Sequence, residues 1–526
     1  MPPGGSVAQD RHLSCGSCGR SLEEDSMRKW LAAAALLVTV GACDTRPELA
    51  APDHGRALTL GGSSGTVFDP ALSAALATAA PTDSLVVIVN YDEAATTGDV
   101  VTSALLVLGA GVIQFKHLEL VAALATPAQI YAMAGLSGIR SIYLNRQLRY
   151  YGLPFSGLLL HESVPTIRAD AVRAMGITGK DVGIAILDSG IDGLYNPDVH
   201  YPEKTVQNIK ILFNLRDVFT FQGSINRIIK NGAELFVENL PNSETSIGHG
   251  THVSGIAAGL GTASGGYYTG VAPGAKLVGI GAGDVLFVFW ILAGFDYILD
   301  HQQDYNIQVV NNSWGSSGAF DPDDPINKAT KTVHDHGITV VFAAGNDGPD
   351  ENTLNPYSVA PWVIGVAAGC KLVSPDPTNS AIHCDDPTGQ NRPPWLADFS
   401  SRGIPDDPLY HPAITAPGVH IVSTRASTGL VLNATDAPHD FDLTSTCALS
   451  LAYALYYTCA SGTSMATPHV VGVVALMQDA AGGSLTPDQV HDILTQTARP
   501  LPGFGEWEVG AGYVDALAAV NAVLGR

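Results

Sequence analysis

A chain of 526 residues has room for one large catalytic domain and a smaller companion, and its 46% hydrophobic and 15% charged content excludes a disordered protein. Fifty acidic residues against 27 basic ones give a formal net charge of -23, which favours solubility and removes nucleic acid from the expected partners.

Taken in chain order, Met27-Arg28-Lys29, the apolar run from Leu31 to Val40 and the small residues Gly41-Ala42 follow the layout of an export signal, with an apolar stretch too short to span a bilayer well. Val40-Gly41-Ala42-Cys43 also resembles a bacterial lipoprotein box, which would place a lipid on Cys43. Residues 1–43 are therefore expected to be a signal region starting at Met27, and the protein to work outside the cytoplasm, secreted or lipid-anchored at the cell envelope. Cys15-Gly16-Ser17-Cys18 has the spacing of a metal or redox pair, but no second ligand pair lies near it.

Residues 44–82, rich in Ala, Pro, Gly, Asp and Ser, predict a linker. Over 83–150 the pattern changes: strands at Leu85 to Val89 and Ser141 to Leu144, with a helix from Thr126 to Leu136 opening on Thr-Pro, make a small α+β domain. Gly152-Leu153-Pro154 and Ser163-Val164-Pro165 mark a junction over 151–165. From 166 to 526, short apolar runs alternate with helical patterns, which predicts an α/β domain built on a parallel sheet with helices on both faces. Val182 to Leu187, Ile307 to Val310 and Ile338 to Phe342 are three of its strands, and they lead into Asp188, Asn312-Ser313 and Gly345-Asn346. Open parallel sheets bind their ligands just beyond such ends.

Among the seven cysteines, Cys370 with Cys384 and Cys447 with Cys459 form two local pairs. Export permits disulfides there, each worth about 2 to 4 kcal/mol; free buried thiols are the alternative.

Acyl transfer needs a nucleophile, a base, a group that orients the base, and donors for the developing oxyanion. Gly462-Thr463-Ser464-Met465-Ala466-Thr467-Pro468-His469 places Ser464 at the start of a helix, where free N–H groups face an anion, and Pro468 is expected to be harmless in the first turn. Gly248-His249-Gly250-Thr251-His252 supplies a base, although two histidines three apart can also hold a metal on one helix face; no Glu or third ligand accompanies them. Asp188, at the end of a buried strand, needs a partner, and a buried imidazole N–H would provide it. Gly345-Asn346-Asp347-Gly348 taken alone is a set of turn formers.

Leu187-Asp188-Ser189-Gly190-Ile191-Asp192, the GHGTHVSG segment from Gly248 and the GTSMATPH segment from Gly462, in that order, resemble the signature segments of the subtilisin-like serine peptidases. The resemblance covers roughly residue 165 to the end. It implies a secreted endopeptidase in which Asp188 orients the base, His249 is that base, Ser464 attacks the peptide carbonyl, and His252 is structural. It further implies that Asn346 and the Ser464 N–H form the oxyanion hole, and that Ser313, Trp314, Gly315, Ala344 and Gly345 bind an extended peptide as an added strand. No cofactor is required for catalysis on this reading. Calcium is common in the family, but no local loop here names its ligands. The 83–150 domain resembles the family's propeptide, which implies an intramolecular inhibitor cut off by the enzyme itself. The long interval between Asp188 and His249 predicts an inserted surface loop over about 203–240, and Cys447 to Cys459 a second insertion. Two other readings use the same residues: an α/β-hydrolase esterase, whose elbow would need Gly where Ala466 stands, and a catalytically silent binding protein.

Overall fold

The computed structural model describes residues 59–60, 66–150, 163–211, 236–371, 384–385, 395–433 and 449–526. The expected signal region with Cys15, Cys18 and Cys43, most of the 151–165 junction, and Cys447 lie outside these described residues.

The N-terminal part is a six-stranded sheet of β1 (Thr59–Leu60), β2 (Val67–Phe68), β3 (Leu85–Tyr91), β4 (Gly111–Gln114), β5 (Leu120–Ala125) and β6 (Ile139–Leu144), in the spatial order β1-β2-β6-β3-β5-β4. The apolar run of β3 is continuous because both faces of this sheet are covered. Val87, Val89, Val121 and Ala123 pack on helices α1 (Pro70–Thr78), α2 (Gly98–Val107) and α3 (Pro127–Ala134) through Leu72, Leu105, Ile130 and Met133. Ile88, Ala122 and Tyr143 face the other way, into a core shared with the rest of the chain. The expected helix over 126–136 is α3, opened by a capping box between Thr126 and Gln129.

Helix α1 corrects the linker expected over 44–82, since residues from 66 onward belong to this folded unit. Asp69 caps α1 by accepting the Leu72 N–H at 3.0 Å, and the same carboxylate oxygen accepts from Leu144 in β6. Pro70 stands at the first helical position, where no N–H is needed, and Leu72 and Leu76 are buried. A short strand β7 (Gln147–Tyr150) follows β6.

The remainder is the expected parallel sheet. Its strands β8 (Gly183–Asp188), β9 (Thr205–Ile211), β11 (Lys276–Gly281), β13 (Ile307–Asn312), β15 (Thr339–Ala343), β16 (Ile364–Gly369) and β17 (Ile414–Pro417) run parallel in the order β9-β11-β8-β13-β15-β16-β17, and β10 (Phe236–Val237) adds antiparallel to β9. Helices α4 (His249–Ala258) and α7 (Thr463–Ala481) bury Val253, Ile256 and the run from Val470 to Met477 on one face. Helices α5 (Val288–Asp300) and α6 (Pro325–Asp335) bury Phe289, Ile291, Phe295, Ile326 and Val333 on the other. The loop expected over about 203–240 is corrected at its start: Thr205–Ile211 alternates as a strand needs and joins the sheet as β9. The expected insertion before the nucleophile segment carries a helical turn at Leu451–Ala454 and the strand Tyr457–Ala460, paired with Ile421–Thr424. Cys370 and Cys459 are each disulfide-bonded.

Candidate active site

Asp188 is the last residue of β8 and His249 the first of α4. The Asp188 Oδ1 accepts from His249 Nδ1 at 2.8 Å and from the Ser189 N–H at 2.8 Å, and the acid and imidazole side chains are 0% and 2% exposed. Donation from Nδ1 leaves Nε2 as the basic nitrogen, and Nε2 is buried with no hydrogen-bond partner among the described residues. Helix α4 sits directly on the turn after β8: a Cβ on Gly250 would lie 2.2 Å from the Gly190 carbonyl oxygen. Beneath the first turn of α4, the buried Glu244 accepts from the Thr251 N–H at 2.8 Å, the Thr251 hydroxyl at 2.7 Å and the Thr245 N–H at 2.9 Å, while burial pushes its carboxyl up. Sequence reasoning passed over Glu244, although an acidic residue just before a helix start is a recognisable supporting group.

His252 faces away from this pair. Its Nε2 meets the Thr458 carbonyl at 3.1 Å, and burial, with His249 adding to it, pushes its pKa down to about 3. Among the described residues, no group of three or more His, Cys, Asp or Glu side chains is placed to hold a metal ion.

Ser464 is the second residue of α7. Its hydroxyl donates to the Ser313 carbonyl at 2.8 Å, and the Ser313 hydroxyl donates in return to the Ser464 carbonyl at 2.9 Å. The second bond depends on Pro468, which corrects the reason given for tolerating it. Pro468 lies beyond the first turn, at the position whose N–H would normally reach the Ser464 carbonyl four residues back. Having no N–H, it leaves that carbonyl to Ser313. The Ser464 hydroxyl and His249 Nε2 make no hydrogen bond to each other, a contact that catalytic groups often complete only in the reacting complex.

Asn346 follows Gly345, whose φ of +110° and close approach to the Ser401 side chain, 2.7 Å from a would-be Cβ, suit glycine alone. The Asn346 Oδ1 accepts from the Thr463 N–H at 3.0 Å and the Thr463 hydroxyl at 2.8 Å, so the amide plane is fixed against the residue preceding Ser464. The Gly345 N–H donates to the same hydroxyl at 3.2 Å. Ala344 is buried with Leu354 and Val359, and its backbone bonds run to Val366 and Asn355 inside the fold.

Trp314 and Gly315 form β14, antiparallel to β7, with Trp314 opposite Tyr150 and Gly315 opposite Arg149. On its other side β7 pairs with β12 (Leu286–Phe287), Leu286 opposite Leu148 and Phe287 opposite Gln147. The Tyr150 ring lies 5.0 Å from the His249 ring and its hydroxyl donates to the Gly283 carbonyl at 2.7 Å. The predicted peptide-binding strand is thus occupied by the chain's own residues 147–150. The second wall, β12, was not foreseen, because a two-residue strand carries no periodicity.

Residues 179–514 match the sequence model of the subtilase family of peptidases. The chain belongs to this family. It is a serine-type endopeptidase of the hydrolase class acting on peptides or proteins. Serine protease AprX of Bacillus subtilis (strain 168) is 28% identical over 424 residues, covering 78% of this chain and 79% of that protein. An extracellular protease of Xanthomonas campestris pv. campestris is 34% identical over 285 residues, 52% of this chain, which spans 40% of that protein's length. The crystal structure of fervidolysin from Fervidobacterium pennivorans, a keratinolytic enzyme related to subtilisin, superposes with a TM-score of 0.56 at 22% identity over 84% of this chain and 61% of that one, a likeness of fold.

Proposed function

We propose that this subtilase cuts peptide bonds through an acyl-enzyme on Ser464. His249 Nε2 takes the Ser464 proton as the hydroxyl attacks the carbonyl, and Asp188 holds the imidazole and stabilises its charged form. The oxyanion accepts from the Asn346 side chain and the Ser464 N–H. His249 returns the proton to the leaving amine, and water then releases the acyl group by the same steps in reverse. The observation that carries this reading is the buried Asp188–His249 bond at 2.8 Å beside a cleft in which a peptide segment is paired on both edges.

On the same reading residues 59–150 are an inhibitory propeptide whose tail β7 fills the cleft, and the chain cuts itself within the 151–165 junction. The likeness to an extracellular protease of Xanthomonas campestris favours a secreted enzyme, and Cys43 is a candidate lipid anchor. Intact mass and N-terminal sequencing of the wild type and Ser464→Ala, expressed alike, test this together with hydrolysis of an unrelated protein substrate. A wild type that begins within 151–165 beside an uncut variant supports it. A Ser464→Ala chain that matures and hydrolyses the substrate as the wild type does removes it.

A further inference from the structure

Strand β7 alternates its side chains as any strand must. Leu148, 3% exposed, joins the core around Leu286 and Phe289, and Tyr150 packs on His249; Arg149 points out between them. Its guanidinium forms an ion pair with the carboxylate of Asp347. Asp347 directly follows Asn346, and its N–H donates to the Ser401 hydroxyl at 3.0 Å, so the acid is fixed on the rim of the cleft rather than on a wandering loop. The partner it holds is opposite Gly315, one register step from the Trp314–Tyr150 pair that lies beside the base.

We infer that Asp347 is a specificity-determining residue, selecting substrates that carry a basic side chain at the position paired with Gly315, between a large aliphatic residue and an aromatic one. This rests on the proposed peptidase reading and adds a substrate class to it: extended cationic segments of the form aliphatic-basic-aromatic. The pair is about half exposed on both sides, 45% and 43%, so its contribution is modest and salt-sensitive. The overall charge of -23 draws cationic peptides to the protein in general, but it does not distinguish one position of the peptide from another.

The test uses the full chain in its active form and fluorogenic peptides with the chain's own sequence from Gln147 to Leu153, in which position 149 is Arg, Ala or Glu, and a further peptide with the Arg moved to position 147. The ratio of kcat/KM within one enzyme preparation is the readout, so any general loss of activity cancels. We expect Arg149 to be preferred over Ala by roughly 2- to 5-fold, with Glu poorer still and the moved Arg no better than Ala. Asp347→Asn should bring the Arg/Ala ratio to about one, Asp347→Lys should favour Glu, and about 1 M salt should flatten the wild-type ratio. Equal rates for Arg and Ala in the wild type overturn the inference, as does a ratio that Asp347→Asn leaves unchanged, which would return the effect to net charge. Failure to hydrolyse any of the peptides by a preparation that cuts an unrelated protein substrate also overturns the inference and leaves the peptidase reading standing.

Discussion

The N-terminal unit is held to the catalytic domain at two places of different chemistry. Over its sheet, the contact is made by specific side chains: Arg146 donates to Asp324 at 2.7 Å and to the Tyr357 hydroxyl at 2.8 Å, Tyr143 to Asp321 at 2.9 Å, Arg140 to Asp323 at 3.1 Å, and Asn90 to the Asp323 carbonyl. In the cleft, β7 is held by backbone pairing on both edges, with Leu148 and Tyr150 as its anchored side chains. The first contact recognises one partner. The second accepts many sequences, as backbone pairing does, so what fits the N-terminal unit to this one domain resides away from Asp188 and His249.

The sharpest break in this comparison is Ser464→Ala, which leaves both contacts in place and removes cutting; turnover should drop by roughly six orders of magnitude, the scale known for a subtilisin without its nucleophile. Asn346→Ala should lower kcat by roughly 10² to 10³ on any peptide, the loss expected of the oxyanion donor proposed above, without touching either contact. Within a Ser464→Ala chain, Arg146→Ala leaves Asp324 buried without its cation and should weaken the seating of the N-terminal sheet by about 3 kcal/mol, read from hydrogen exchange in β3 and β5. Burial outweighs Arg146 and pushes Asp324 up to about 6, so at pH 5 the acid can take a proton and the loss should shrink.

Acid should separate the two regions as well. His252, His420 and His469 all lie in the catalytic domain, and burial pushes them down to about 3, 3 and 4. Each takes a proton near 6.5 when unfolded but only far lower when folded, so its share of stability is present above 6.5 and is lost as pH falls toward 4. The cost at pH 5 is about 2 kcal/mol per histidine, which thermal unfolding from pH 7 to 5 would show as a loss in the catalytic domain. At the small end, Gln147→Ala in the exposed, backbone-held part of β7 should change seating by under about 0.5 kcal/mol; a larger effect would mean that the cleft also reads that side chain.

Asp188, His249, Ser464, Asn346 and Ser313 were legible because each lies where a strand or helix ends, and short segments of small residues mark those ends. Three strands of the parallel sheet, β8, β13 and β15, were legible for the same local reason, as apolar runs within two residues of their observed limits, whereas β9 was expected to be part of a surface loop. Helix α1 was hidden by its Ala-rich composition, although Asp69-Pro70 is a proper start. The occupation of the cleft could not be read at all: β12, β7 and β14 are two to four residues long, and only long-range pairing defines them. The Pro468–Ser464–Ser313 arrangement was missed because its meaning depends on what the fold brings beside it, whereas Glu244 carried a local signal that was passed over.

The contact of Gly250 with the Gly190 carbonyl has a wider consequence. The gap between acid and base is set by one main chain lying on another, so it has almost no tolerance: even a methyl group at position 250 would prise α4 off the end of β8 and pull His249 from Asp188. The walls and rim of the groove can therefore change with the sequence, whereas the spacing of Asp188 and His249 is a fixed dimension of the fold.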